Sequence, residues 1–273
     1  MSTTTVTPDD ADQALKAKHR AMWALGDYHA VATEIIADLG PVLVEATGIG
    51  PGQHVLDVAA GSGNVAIPAA ATGAHVIASD LTPELVAQGR ADAQARGTSL
   101  DWHVGDVEYL PFDDGAFDVV TSCVGIMFAP HHQQAADQLV RVCRPGGTIG
   151  LVAWTPTGFI GQMFAAMKPF NPPPPPGAQP PPLWGSEEHV RALLGDRVSD
   201  VEMRRQRLRV DHFTTPEEFR DYFKARYGPT ISTYRAIAGD PERVAALDHD
   251  LAELARREPV TEWEYLLVTA RRA

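Results

Sequence analysis

The part of the sequence best suited to chemistry is a run of small residues that follows a strand-like segment. Val55–Val58 is apolar except for Asp57. The residues that follow it include Ala59, Gly61, Gly63 and Asn64. Small side chains let a ligand approach the backbone, and free amide groups at the start of a helix bind anions. The run therefore predicts a turn that binds a phosphate or carboxylate, with a tight turn that has no ligand as the alternative.

Asp80 ends the next strand-like segment, seventeen residues after Gly63. At that position its carboxylate could accept hydrogen bonds from both ribose hydroxyls of an adenosine, while simple capping of the next helix is the alternative. The glycine spacing also fits the dinucleotide fingerprint, with alanine in the last position. These features predict an adenosine-containing cofactor without deciding between S-adenosylmethionine and a nicotinamide dinucleotide.

Three later motifs complete the pattern, and they are Gly105–Phe112 (GDVEYLPF), Phe117–Ser122 (FDVVTS) and Arg144–Gly147 (RPGG). In their order and spacing, residues 53–154 resemble the class I S-adenosylmethionine-dependent methyltransferases. The similarity is greatest to the methyltransferase type 11 group and the ubiquinone/menaquinone C-methyltransferase branch. The resemblance favours S-adenosylmethionine as the cofactor.

The resemblance implies a set of cofactor-binding residues on this chain. They are Asp57, Ala59, Gly61, Gly63, Asn64, Asp80, Leu81, Asp106, Val107, Ser122 and Cys123. In the family's pattern, Gly61 and Gly63 would face the methionine part of the cofactor, and Asp80 the ribose. Asp106 and Val107 would contact the adenine.

The same resemblance implies supporting roles near the end of the fourth strand. Asp57 would orient the turn and the amino-acid end of the cofactor, and Ser122 and Cys123 would line the methionine and the reaction cavity. Ala59 departs from the pattern, because the family usually has glycine there. An activated methyl group needs mainly an aligned nucleophile and exclusion of water, so neither a metal nor a covalent intermediate is expected.

Two histidines and two aromatic residues are further candidates. His131 and His132 follow the fourth strand, and histidine titrates near neutrality, so they are the predicted catalytic bases. Their alternative is a polar cap at a helix start. Trp23 and Tyr28 precede the sheet and, by analogy with the family, are predicted to fold over the cofactor as a lid. Plain aromatic packing is the alternative for both.

Composition limits the partners and the location. The formal net charge is −12, which repels nucleic-acid backbones and argues against a nucleic-acid substrate. Two cysteines in no metal-binding spacing favour a reducing compartment. No apolar run approaches the length of a membrane span. We therefore expect a cytoplasmic protein without a membrane partner, as a monomer or homodimer.

Alternating strand-like and helix-like segments predict an α/β fold with a doubly wound, mostly parallel seven-stranded sheet. Its predicted parts are a helical lid (1–50), a Rossmann-like cofactor-binding core (51–154), a proline-rich connector and substrate cap with the sixth strand (155–260), and a closing strand (261–273). The lid would contain a helical stretch over Ala11–Leu39 after a frayed start. Several apolar residues near the connector could roof an acceptor site or form a plain core between sheet and cap, namely Phe159, Phe164, Met167, Phe170 and Trp184.

The sequence thus predicts direct methyl transfer from S-adenosylmethionine to a small apolar or aromatic molecule. A nicotinamide-dependent oxidoreductase and a cofactor-binding subunit without catalysis are the alternatives. The atom that receives the methyl group stays open, because one fold carries many reactions.

Overall fold

The computed structural model describes residues 10–257 and 261–273. The frayed start and the last residues of the predicted cap therefore lie outside the described residues. Seven strands form one sheet in the order β3-β2-β1-β4-β5-β7-β6. They are β1 (His54–Val58), β2 (His75–Asp80), β3 (Asp101–Val104), β4 (Phe117–Cys123), β5 (Cys143–Trp154), β6 (Val198–Arg209) and β7 (Glu262–Arg272). Only β7 runs antiparallel to its neighbours. The predicted fold class is confirmed.

Helices cover both faces of this sheet. They are α1 (Asp10–Trp23), α2 (Tyr28–Ala30), α3 (Leu39–Thr47), α4 (Ala66–Ala71), α5 (Pro83–Ala95), α6 (His132–Val142), α7 (Phe159–Met167), α8 (Glu187–Leu194), α9 (Pro216–Arg226), α10 (Gly228–Ala236) and α11 (Pro241–Arg257). The central strands are apolar on both sides, as a sheet covered by helices requires, and Val55, Leu56 and Val58 are fully buried. Among the described helices, none is long and apolar enough to cross a membrane.

The prediction of one continuous helical stretch over Ala11–Leu39 is wrong. Helix α1 ends at Trp23, and the chain turns at Gly26, whose φ is +69°. A side chain at Gly26 would lie 2.5 Å from the backbone oxygen of Arg226. Asp27 then caps α2 by accepting a hydrogen bond from the Ala30 amide, and the helix continues as a π-helical turn, Val31–Ile35. The turn brings α1 against the cap and leaves its carboxyl end over the sheet.

Two other segments depart from regular geometry. The extended backbone of Tyr227 separates α9 from α10. The RPGG motif, Arg144–Gly147, lies inside β5, which begins at Cys143. Its residues form an irregularity in the ladder with β4, where Gly146 has a φ of +73°.

The proline-rich connector lies against the loop that follows β4. The Gln179 amide donates a hydrogen bond to the Pro130 carbonyl over 3.0 Å. Short 3₁₀ turns at Lys168–Phe170 and Pro181–Gly185 flank the prolines. Trp184 is buried and anchors the second turn. The connector therefore has fixed contacts at both ends, while the division of the chain into four functional parts stays a prediction.

Candidate active site

Asp57 holds the glycine-rich turn after β1 in place through two hydrogen bonds. Its Oδ2 accepts a hydrogen bond from the Ala66 amide (3.1 Å), and its Oδ1 accepts one from the Thr121 hydroxyl (2.9 Å). Because the carboxyl group is buried, its pKa is raised from 3.8 to about 7. Asp57 thus fixes the start of α4 and is not among the residues that line the cavity above the turn.

Asp80 joins the turn to the next strand. Its Oδ2 accepts a hydrogen bond from the Gly61 amide, and its Oδ1 accepts one from the Thr82 amide, each over 2.8 Å. The carboxyl group is 8% exposed and borders the cavity, and burial raises its pKa. Each oxygen keeps a further lone pair, so the group can still accept hydrogen bonds from a ligand.

A cleft of about 610 Å³ opens above the carboxyl ends of β1, β2 and β4. Ligand sites commonly lie at this edge of α/β sheets. Eight of the predicted cofactor residues line it, namely Trp23, Tyr28, Ala59, Gly61, Asp80, Leu81, Asp106 and Val107. We call this space the cofactor cleft.

Backbone conformation explains two of these positions. Ala59 has a φ of +49°, a region that favours glycine, so the departure from the family's pattern carries strain. Gly61 has a φ of +57°, and a side chain there would come within 3.1 Å of the Tyr28 ring. Tyr28 therefore lies directly over the turn, which agrees with the predicted lid position.

Helix α1 contributes a buried ion cluster that the sequence did not predict. Lys16 Nζ lies 3.2 Å from Asp106 Oδ1 and 2.7 Å from Glu108 Oε2. His19 also lines the cleft, and its pKa is lowered, first by burial and then by Lys16. Lys16, His19 and Trp23 share one helix face, since their spacing is i, i+3, i+7. This spacing is visible in the sequence and could have indicated which side of α1 faces the cleft.

The loop after β4 closes the other side of the cleft. Val124 has a φ of +46°, which is rare for a β-branched residue and is typical of strained functional sites. Gly125 lies so close to Ala59 that a side chain would come within 2.2 Å of the Ala59 carbonyl oxygen. The loop's remaining contributions to the lining are Phe128, Ala129 and Pro130.

Several predicted residues lie beside the cofactor cleft and not in its wall. Ser122 is fully buried, donating a hydrogen bond to the Val58 carbonyl and accepting one from the Ile126 amide. Cys123 is half-buried, and burial raises the pKa of its thiol. Gly63 packs against Trp102, and Asn64 donates a hydrogen bond to the Ile36 carbonyl. These residues therefore stabilise the glycine-rich turn and the end of β4.

The two predicted bases do not line the cofactor cleft. The ring Nδ1 of His131 lies 2.8 Å from Glu108 Oε2. The ring Nδ1 of His132 lies 2.9 Å from His189 Nε2, and burial lowers the pKa of His132 to about 4. Each ring is therefore held by a partner away from the cleft, and the geometry gives no support to the predicted catalytic role.

The buried ion cluster around Lys16 also contains side chains of the types that bind metal ions. The ligand-type atoms of Asp12, Glu108 and His131 lie within 4.8 Å of one another. Lys16 already supplies a positive charge at Glu108. A cation would have to share this space with the lysine, so the arrangement fits an ion-pair network that holds α1 on the core.

A second, narrow cleft adjoins the cofactor cleft, and nearly all of its lining residues are buried. The two share Tyr28 and Val124. The other lining residues are apolar or aromatic, namely Val31, Ile36, Trp154, Ile160, Met163, Phe223, Tyr227 and Trp263. We call it the acceptor cleft.

The expected roof residues are replaced by neighbours in the chain. Phe159, Met167 and Trp184 are buried among core side chains and do not line the acceptor cleft. Helix α7 instead presents Ile160 and Met163 to it. The burial of Phe159, Met167 and Trp184 fits the alternative of a plain core between sheet and cap.

Comparisons with known proteins agree with this geometry. Residues 55–147 match the family model described as a methyltransferase domain. Over 272 residues the chain is 53% identical to an uncharacterized protein of Mycobacterium tuberculosis, covering 98% of this chain and 99% of that protein. Over 103 residues it is 40% identical to a ubiquinone/menaquinone biosynthesis C-methyltransferase of Cereibacter sphaeroides, covering 36% of this chain and 41% of that protein.

A solved structure shows the same fold. It is a putative methyltransferase of Bacillus halodurans, with a TM-score of 0.57 and 20% identity, and the match covers 85% of this chain and 97% of that one. This chain belongs to the class I S-adenosylmethionine-dependent methyltransferases. This membership argues against the alternative of a nicotinamide-dependent oxidoreductase, which rested on the glycine spacing alone.

Proposed function

We propose that this methyltransferase binds S-adenosylmethionine in the cofactor cleft and transfers its methyl group directly to a small apolar or aromatic molecule in the acceptor cleft. The observation that carries the proposal is the cofactor cleft at the carboxyl ends of β1, β2 and β4, beside which a narrow apolar cleft lies behind a junction formed by Tyr28 and Val124, the two residues that line both. A donor and an acceptor on either side of that junction would meet at the end of β4.

The cofactor cleft offers suitable partners for each part of the donor. We infer that Asp80 accepts hydrogen bonds from the ribose hydroxyls and that Asp106 and Val107 contact the adenine. The turn at Gly61 leaves room for the methionine end. Asp57, Gly63 and Asn64 would hold that turn in shape.

The bound donor would supply a methyl group on a positively charged sulfur, and the protein's part is positioning and exclusion of water. Trp23 packs edge-on against Tyr28 and Phe128, with ring centroids 5.2 and 4.7 Å apart. It also packs against Tyr227, at 5.7 Å. These rings would cover the junction and exclude water from it.

The setting of the reaction is part of the proposal. The net charge of −12 supports a small-molecule substrate over a nucleic acid. We expect a cytoplasmic enzyme that works as a monomer or homodimer without a membrane partner.

A screen of small apolar and aromatic molecules for adenosylhomocysteine release, with mass spectrometry of the methylated product, tests the proposal. We expect release with a subset of ring compounds. Met163→Phe, which fills the acceptor cleft, should reduce turnover while leaving cofactor binding intact. Cofactor binding without release for any acceptor would favour the non-catalytic alternative.

A further inference from the structure

We propose that Lys16 is a positioning residue for the cofactor, because it sets the Asp106 carboxylate to accept a hydrogen bond from the amino group of the adenine ring. Lys16 would thereby make the cofactor cleft selective for 6-aminopurines over 6-oxopurines. This inference rests on the proposed function, in which Asp106 contacts the adenine. It adds a residue of α1, which lies outside the segment that matches the family model, residues 55–147.

Helix α1 lies across the end of the cofactor cleft that the loops after β2 and β3 form. In the first loop, the Leu81 carbonyl accepts a hydrogen bond from Arg20 Nε over 3.0 Å. In the second loop, Asp106 Oδ1 lies 3.2 Å from Lys16 Nζ. Lys16 is only 7% exposed, and it borders the cleft. The helix therefore fixes the lysine beside Asp106.

Two hydrogen bonds hold the Asp106 carboxylate, and both end on Oδ1. One comes from Lys16 Nζ and the other from the Glu108 amide, over 3.0 Å. This arrangement leaves Oδ2 for a ligand. Leu85 and Val107 are buried apolar residues that line the same cleft. This end of the cleft therefore suits a flat base with a polar edge.

Glu108 holds the lysine from its other side. The Glu108 side chain is fully buried, and its Oε2 lies 2.7 Å from Lys16 Nζ. The His131 amide donates a hydrogen bond to Glu108 Oε1, and the ring Nδ1 of His131 lies 2.8 Å from Oε2. Lys16 thus stands between a fixed carboxylate and Asp106, and its positive charge offsets the repulsion between the two.

The selectivity follows from the hydrogen bonds that a carboxylate can make. An ionised carboxylate accepts hydrogen bonds and donates none. It suits a 6-amino group, whereas a 6-oxo group would place one acceptor against another. Without Lys16, repulsion from Glu108 would turn Asp106 away from its place, because the Asp106 side chain is 17% exposed and can reach water. The amino group would then lose its partner.

Calorimetric titrations with S-adenosylhomocysteine and its 6-oxo analogue, S-inosylhomocysteine, test the inference. We expect wild type to bind the amino compound at least tenfold more tightly, which corresponds to about 1.4 kcal/mol. In Lys16→Met this ratio should fall by roughly threefold or more, through weaker binding of the amino compound. Lys18→Met, on the exposed side of α1, is the matched control and should keep the wild-type ratio.

Adding Glu108→Gln to Lys16→Met removes the opposing charge and should restore the wild-type ratio. If Lys16 only held the helix in place, Lys16→Met would weaken both ligands by the same factor. An unchanged ratio in Lys16→Met, equal affinities in wild type, or a ratio that stays low in the double variant would each overturn the inference. Lys16→Gln, with the same expected loss of selectivity, replaces Lys16→Met if that variant does not fold. If wild type binds neither ligand, the proposed function is wrong as well.

Discussion

Replacing Asp57 with asparagine should remove a pH-dependent loss of stability. The Asp57 carboxyl is buried, and its pKa rises from 3.8 to about 7 on folding. As the pH rises from 4 to 7, the unfolded chain ionises this group while the folded chain keeps it protonated. Asp57 therefore lowers the free energy of unfolding across that range, and its effect is constant above the folded pKa.

Asparagine suits the site because its carbonyl oxygen can accept from the Ala66 amide while its NH₂ group donates to the Thr121 hydroxyl. The variant's free energy of unfolding should exceed that of wild type by an amount that grows by about 3 kcal/mol from pH 5 to pH 8. Urea denaturation at both pH values measures this difference, with substitution of the exposed Asp113 by asparagine as a control. An Asp57→Asn difference that stays constant between the two pH values would refute the reasoning.

Three other predictions follow from single contacts. His132→Asn should lower stability yet leave the pH profile of kcat/KM unchanged. Loss of a titration step from that profile would instead support a catalytic role for His132. Ala59→Gly should raise the free energy of unfolding by up to about 1 kcal/mol relative to the neighbouring control Ala60→Gly, because its φ is positive. Equal effects in thermal denaturation would argue against strain. Lys16→Met should destabilise by about 3 kcal/mol by removing the positive charge that lies 2.7 Å from the buried Glu108 carboxylate. Adding Glu108→Gln should recover part of that loss, and an additive further loss would contradict the pairing.

Much of the sheet could be predicted because its signals are local. The apolar run Val55–Val58 and the aspartate that ends β2 stand out in the sequence without knowledge of the rest of the chain. The break at Gly26 could not be found in this way. Its turn packs on the backbone of Arg226, two hundred residues later, and helix periodicity carries no information about such contacts.

The same distinction holds for the site. Parallel strands bring their carboxyl ends to one edge of the sheet, which is why Asp80 at the end of β2 lines the cleft, as does Asp106, a candidate that only the family resemblance supplied. The partners of His131 and His132 could not be predicted, because sequence position shows a nearby loop and not the contacts with Glu108 and His189. Val124 could not be found because backbone strain is imposed by the folded surroundings.

Calorimetric titration of S-adenosylmethionine into wild type and Asp80→Asn tests the central claim most directly. Asparagine cannot accept hydrogen bonds from both the Gly61 and Thr82 amides with two oxygens, and the ribose would lose a charged acceptor. We expect one cofactor molecule per wild-type chain and an affinity at least tenfold weaker in the variant, or about 1.4 kcal/mol. No binding by the wild-type protein, or equal affinity in Asp80→Asn, would contradict the assignment of the cofactor cleft.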